Sequence, residues 1–381
     1  SICVLTMDYD GDGSFLRDCD WTEPLNFVEN VEGEDLAAIL YTSGTTGRSK
    51  GAMLSHKNLS TNVTALHNLW GWREDDVLIH ALPIFHVHGL FVAIHCALLN
   101  GSKIWFLPKF DADQVIQLLP KSTVMMGVPT FYSRLIESSN LTPDVCINIR
   151  LFISGSAPLL EETFYIFEKK SGHRILERYG MTETGMITSN PLNGDRMPGT
   201  VGFPLPGVKV RIANNEGKPL NFEDIGVLET KGPNVFRGYW GMPEKTDLEF
   251  RDGGWFITGD IAKMSEDGRV SIIGRAKDMI ISGGYNIYPK EIETVIDELD
   301  GINESAVIGL PHPDFGEAVV AIIDAEEGMS FDLNIVQNRI RSSLAHFKIP
   351  KKIFTINQLP RNSMGKVQKN LLREEFKKTF S

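Results

Sequence analysis

The string Tyr41-Thr-Ser-Gly-Thr-Thr-Gly-Arg-Ser-Lys-Gly51 concentrates groups that suit a phosphate chain. Gly44 and Gly47 let the backbone come close to an anion, while Thr42, Ser43, Thr45, Thr46 and Ser49 carry hydroxyl donors. Lys50 adds a positive charge, and consecutive backbone N–H groups in such a loop form an anion-binding concavity. The spacing is not that of a Walker A loop, which needs Gly-x4-Gly-Lys-Ser/Thr. On composition alone a flexible surface loop is the alternative. Further along, Tyr179-Gly-Met-Thr-Glu183 sets an aromatic ring, a hydroxyl and a carboxylate side by side, and Asp260 follows an apolar Trp-Phe-Ile and a Thr-Gly, where it suits sugar hydroxyls. His80, His86, His88 and His95 invite a metal reading, but no cysteine accompanies them and their spacing fits no zinc pattern. No metal is expected there.

These residues need a scaffold, and the chain supplies one by alternation. At 381 residues it exceeds what one core usually serves, so two or more domains are expected. Hydrophobic residues at 42% and charged residues at 23% describe an ordinary soluble globular protein. A net charge of -11 argues against nonspecific binding to nucleic acid or anionic membrane, so an anionic substrate must be met by individual Arg and Lys side chains. Four cysteines without metal or redox spacing favour free thiols in a reducing compartment, the cytoplasm or the mitochondrial matrix. The longest apolar run, Leu90 to Leu99, is short for a membrane span and contains His95. No signal peptide is visible; Ser1 to Met7 reads as a buried strand, so the natural start, and any targeting signal with it, is expected to be missing.

Short apolar runs at Leu36–Tyr41, Val77–Leu82, Lys103–Leu107, Val124–Gly127 and Leu151–Ser154 predict strands. Helical spacing lies between them, over Asn58–Trp70, Leu90–Leu99, Ala112–Leu119 and Thr130–Ser138, and over Glu161–Ser171 after them. Such alternation predicts an α/β fold with a mostly parallel sheet. After Gly199 strands separated by Gly, Pro and Asp turns predict a β-rich subdomain, with Val208–Ala213, Gly226–Lys231 and Arg269–Ile273 as its members. From Gly274 a second αβ pattern begins, so the expected division is a large domain over 1–274 and a small α+β domain over 275–381.

The glycine-rich string resembles the phosphate loop of the adenylate-forming superfamily, which includes acyl-CoA synthetases, peptide-synthetase adenylation domains and luciferases. Further matches follow in that superfamily's order: Pro83-Ile-Phe-His-Val-His-Gly89, Ser154-Gly-Ser-Ala-Pro158, Glu177-Arg-Tyr-Gly-Met-Thr-Glu183, Gly254-Trp-Phe-Ile-Thr-Gly-Asp260, Gly274-Arg-Ala-Lys-Asp278 and Pro360-Arg-Asn-Ser-Met-Gly-Lys366. The resemblance implies ATP, Mg²⁺ and coenzyme A as reactants and cofactors, and implies that a large part of the first domain precedes this sequence. It places Thr42, Ser43, Gly44, Thr45, Thr46, Gly47 and Lys50 on the phosphates, Ser156 and Ala157 beside the nucleotide, and Tyr179 on adenine. Thr182 then contacts the α-phosphate, Glu183 holds Mg²⁺, and Asp260 and Arg275 reach the ribose. Lys366 contacts the reacting carboxylate and α-phosphate, where a positioned cation lowers the barrier as charge builds. Lys277 takes the hinge position about which the smaller domain rotates between half-reactions. Ser282, Gly283 and Gly284 face the channel for the pantetheine arm, and His86 lines the acyl pocket.

The residue before Tyr179 bears on the choice of acid. Acyl-CoA synthetases for apolar acids mostly carry a small residue there; this chain has Arg178, and a buried arginine against an apolar chain would be costly. Arg134 is expected on a helix flanking the same pocket, with Ser156 nearby. Two guanidinium groups call for a second carboxylate on the substrate, because Arg binds carboxylates bidentately. A short dicarboxylate fits, and the Glu-Arg-Tyr-Gly-Met-Thr-Glu and Pro-Arg-Asn-Ser-Met-Gly-Lys strings resemble malonyl-CoA synthetases. Malonate is the expected acid and methylmalonate a second. The alternatives are pairing of Arg178 and Arg134 with Glu177 or Glu137, another short acid, a carrier-protein-loading adenylation domain, a luciferase-like oxygenase, or a non-catalytic relative.

Overall fold

A computed structural model describes residues 6–7, 12–20, 23, 26–42, 49–299, 301–325, 333–362 and 366–380. After a short helix α1 (Ser14–Asp20), strands β1 (Leu36–Thr42) and β2 (Lys50–Ser55) pair antiparallel around the glycine-rich string. Helix α2 (His56–Leu69) starts on a capping box: Ser55 Oγ accepts from Asn58 N–H while the Asn58 side chain accepts from Ser55 N–H.

The alternating region then builds one sheet. Strand β3 (Val77–His80) leads to a π-helical turn over His88–Ile94 that continues as α3 (His95–Asn100), and β4 (Lys103–Phe106) follows. Next come α4 (Ala112–Leu118), β5 (Val124–Gly127), α5 (Pro129–Glu137), β6 (Leu151–Ser154), α6 (Glu161–Ser171), β7 (Leu176–Met181), β8 (Gly185–Ser189) and β9 (Phe203–Pro204). The order is β4-β3-β5-β6-β7-β8-β9; pairs from β4 to β7 are parallel, and those from β7 to β9 antiparallel. Strands β5 and β6 are buried along their whole length, because helices cover both faces. One apolar cluster around Leu66, Leu78, Val92 and Ile153 fills one side, and a second around Met125, Tyr132, Phe152 and Phe167 fills the other.

The β-rich part is an antiparallel sheet of β10 (Lys209–Ala213), β11 (Gly226–Lys231), β12 (Phe250–Arg251), β13 (Trp255–Met264) and β14 (Val270–Arg275), with α7 (Pro243–Leu248) beside it. Strand β14 runs through Gly274 to Arg275, slightly past the expected division. Strands β15 (Ile280–Ser282) and β16 (Tyr285–Ile287), helix α8 (Pro289–Asp297) and the long hairpin β17 (Ile302–His312) with β18 (Gly316–Ala325) open the last part. Helix α9 (Leu333–Ser343), strand β19 (Lys352–Ile356) and helix α10 (Lys369–Phe376) complete it around its own apolar clusters.

Strand Val77–Leu82 ends early, at His80, and the helix expected from Leu90 begins earlier, at His88. Of the buried strand expected over Ser1–Met7, Thr6 and Met7 are exposed and outside any strand, and residues 1–5 lie outside the described residues. No helix among the described residues is long and apolar enough to cross a membrane.

Candidate active site

The functional side chains gather at the C-terminal ends of β3, β6 and β7, where an open parallel sheet leaves its crevice. Cross-strand register makes the first contact: Asp260 on β13 lies directly opposite Arg275 on β14, and Arg275 Nε donates to Asp260 Oδ1 at 2.7 Å. The Tyr179 hydroxyl donates to Asp260 Oδ2. Asp260 is 2% exposed; burial raises its pKa, opposed by Arg275. The three residues assigned to the nucleoside are therefore joined in one chain. Lys366 sits close enough for its charge to act on Asp260, and Lys277, exposed in the turn after β14, acts on the same carboxylate.

Lys366 is partly buried, and burial pulls it down to about 8, with Arg275 and Arg178 adding to the fall and Asp260 and Glu183 opposing it. Thr182 and Glu183 occupy the turn between β7 and β8. Glu183 is buried, accepts from Tyr239 Oη at 2.9 Å, and has its pKa raised by burial. Lys50, at the start of β2, donates to Tyr239 Oη and to Glu249 Oε1, each at 3.1 Å. Thr42 Oγ1 donates to the Lys50 carbonyl at 3.5 Å, and Ser43, Gly44, Thr45, Thr46 and Gly47 lie outside the described residues. Among the described residues no group of three His, Cys, Asp or Glu side chains could hold a metal ion.

Arg178 forms the other end of the site. It is 2% exposed, and burial lowers its pKa to about 9. Its guanidinium lies flat on Gly155: a Cβ added there would stand 2.4 Å from Nη1 and 2.5 Å from Cζ. Among the described residues its Nε and Nη2 find no acceptor. Around it stand neutral groups. His88 is fully buried and accepts or donates at Nδ1 with Ser156 Oγ at 3.2 Å, leaving Nε2 unpartnered. His86 Nδ1 accepts from His88 N–H at 3.2 Å, and burial, then the charges of Lys366 and Arg178, push its pKa down to about 4. Burial also takes His88 well below its ordinary value. Ser156 holds φ at 72°, a left-handed conformation that costs a non-glycine residue roughly 1 kcal/mol or more. Ser156 and the adjoining Ala157 are both partly buried.

Arg134 lies on α5. Tyr132 and Leu135 on either side of it are buried, so α5 turns Arg134 outward to the surface, where its charge acts on Arg361. Ser282 is 7% exposed and pairs with Gly316 across the sheet. Gly283 and Gly284 have φ of 58° and 83° and make the two-residue turn between β15 and β16, which requires left-handed backbone at both positions. Nor does Arg178 pair with its neighbour: Glu177 faces away, and burial raises its carboxyl to about 8.

Sequence reasoning missed Tyr239, Glu249, His88 and Gly155. His88 and Gly155 lie inside strings already singled out, and their roles required the position of Arg178. Tyr239 and Glu249 carry no signal in their own surroundings, being brought to Lys50 from far along the chain.

The profile of the AMP-binding enzyme family matches residues 4–240, and that of the AMP-binding enzyme C-terminal domain matches residues 291–366. The mitochondrial malonate–CoA ligase ACSF3 of Mus musculus is 40% identical over 379 residues, covering 89% of this chain and 64% of the mouse protein. The chain thus spans just under two thirds of that relative's length. ATP-bound MatB from Rhodopseudomonas palustris is 54% identical with a TM-score of 0.96, covering 99% of this chain and 75% of that one. The apo form of MatB superposes with a TM-score of 0.80 at 53% identity, covering 100% of this chain and 75% of that one.

Proposed function

Because the chain belongs to the AMP-binding enzyme family, we propose that it joins malonate to coenzyme A through malonyl adenylate, consuming ATP and releasing AMP and pyrophosphate. The observation that carries the choice of acid is Arg178: a buried cation with two N–H groups unpartnered and no carboxylate partner among the described residues, and neutral histidines around it. A second carboxylate on the substrate satisfies both donors at once and removes the cost of an unpaired buried charge. The name of the mouse relative supports the same acid. Methylmalonate fits as a second substrate, since one methyl group gives a pocket little discrimination.

In the first half-reaction a malonate oxygen attacks the α-phosphorus, the bond to pyrophosphate breaks, and Lys366 faces the charge that builds there. In the second, the thiol of coenzyme A attacks the acyl carbon and AMP departs. Tyr179, Asp260 and Arg275 are suited to the nucleoside, and Thr182 to the α-phosphate. Glu183 suits Mg²⁺, which takes one or two carboxylates and completes its shell with phosphate oxygens and water, so it needs no larger cluster of protein ligands. When bound, Mg²⁺ would neutralise phosphate charge.

The greater likeness to the ATP-bound than to the apo relative supports reading this arrangement as the one for adenylation. A division between Gly274 and Lys277, with Lys277 as the hinge, would let the part after it rotate and bring the Gly283–Gly284 turn toward the thiol. The free thiols of Cys19, Cys96 and Cys146 support a reducing compartment such as the cytoplasm or the mitochondrial matrix. The test is acid-dependent exchange of pyrophosphate into ATP. Malonate supports exchange and acetate does not; exchange with fatty acids or amino acids in place of malonate overturns the proposal.

A further inference from the structure

The ammonium of Lys50 is already engaged. Besides its two hydrogen bonds it lies 4.2 Å from the centroid of the Tyr239 ring. The Tyr239 hydroxyl has one proton, and the nearer acceptor is Glu183 at 2.9 Å, against 3.4 Å to Glu249. Tyr239 itself is 2% exposed and fixed edge-on against Phe236, with ring centroids 4.9 Å apart. One buried oxygen therefore joins the cation beside the glycine-rich string to the carboxylate suited to Mg²⁺.

Glu249 stands differently. It is held by Lys50 and also by Lys245, one turn earlier on α7, at 3.0 Å. If Lys50 left, Glu249 would keep a cation and no charge would be stranded. The Lys50–Glu249 pair is only 14% and 20% exposed, so water screens it less than a surface pair.

We infer that Tyr239 is a positioning residue that fixes Lys50 relative to Glu183, and that Glu249 is a stand-in anion which Lys50 exchanges for the phosphates of ATP. The inference rests on the proposed use of ATP. It gives two opposite expectations, which a purely structural role would not. Glu249→Gln removes the competitor and a negative charge near the phosphates, so ATP binds about three- to tenfold tighter. Tyr239→Phe keeps the packed ring but removes the shared oxygen, so ATP binds about tenfold weaker.

Isothermal titration of Mg·ATP into the chain and its variants reads both, with thermal unfolding to confirm that each is folded. The decisive arm is Lys50→Met. In that background Glu249→Gln should bring no tightening, because the residue that Glu249 occupies is gone. Tightening that persists without Lys50 means that Glu249 acts only through bulk charge, and overturns the inference. So does a Glu249→Gln variant no tighter than the parent, or a Tyr239→Phe variant with parental affinity. If the parent chain itself binds no ATP, it is the proposed function that falls.

Discussion

Replacing Arg178 by Met should separate the cost of a buried charge from its use. Met roughly fills the arginine stem and adapts to irregular space. Without the guanidinium, the free carboxylate of malonate would be buried unpaired, at about 3–5 kcal/mol. At tenfold per roughly 1.4 kcal/mol, malonate-dependent exchange should fall roughly 10²–10⁴-fold in kcat/KM. Acetate has no second carboxylate to lose, so its exchange should stay at background and the preference for malonate should collapse. Stability should move the other way. Burial lowers the pKa of Arg178 to about 9 because it penalises the charged form, a penalty that Met does not carry. The folded chain should therefore melt no lower than the parent in the absence of substrate. Pyrophosphate exchange across both acids, with thermal melting of the free protein, measures the pair. Retention of a hundredfold preference for malonate in Arg178→Met would refute the reasoning, and a large drop in melting temperature would show that the guanidinium is structural.

Other consequences follow from the same geometry. Adenylation requires the Lys366 ammonium, whose folded-state pKa is lowered to about 8, so the exchange rate should be full at pH 7 and decline as pH rises through about 8; Lys366→Ala should abolish exchange while sparing thioester formation from supplied malonyl adenylate. Gly155→Ala puts a methyl group where the guanidinium lies, so the KM for malonate should rise about tenfold or more with ATP binding unchanged, as calorimetry would show. Glu177 keeps its proton in the folded chain up to about 8 but loses it near 4.5 when unfolded, so it withdraws stability as pH rises between those values. Glu177→Gln should accordingly raise the melting temperature more at pH 8 than at pH 5, and an equal change at both would reject a neutral carboxyl there.

The residues proposed to handle the nucleotide are local in the chain, and their grouping is legible for that reason. Tyr179, Thr182 and Glu183 are neighbours on one strand and its turn, and Asp260 meets Arg275 by the register of a single hairpin. The alternation of β3 to β7 with their helices follows from periodicity, and only the ends move: His80 closes β3 early, and the π-helical turn draws His88 into its helix. The helix carrying Arg134 was legible from its spacing, while packing decided that Tyr132 and Leu135 are buried and Arg134 is exposed.

By itself the sequence determined the family, the parallel-sheet scaffold and the residues proposed to meet the nucleotide, since each depends on contiguous chain or on a repeating period. The tertiary structure alone decided that Arg178 stands buried on Gly155 among neutral histidines, with no partner for its Nε and Nη2 among the described residues, and that Lys50 is shared between Tyr239 and Glu249. Those contacts join segments as far as 199 residues apart. Their energies depend on burial and on which charges are left without partners, quantities that exist only once the chain is packed.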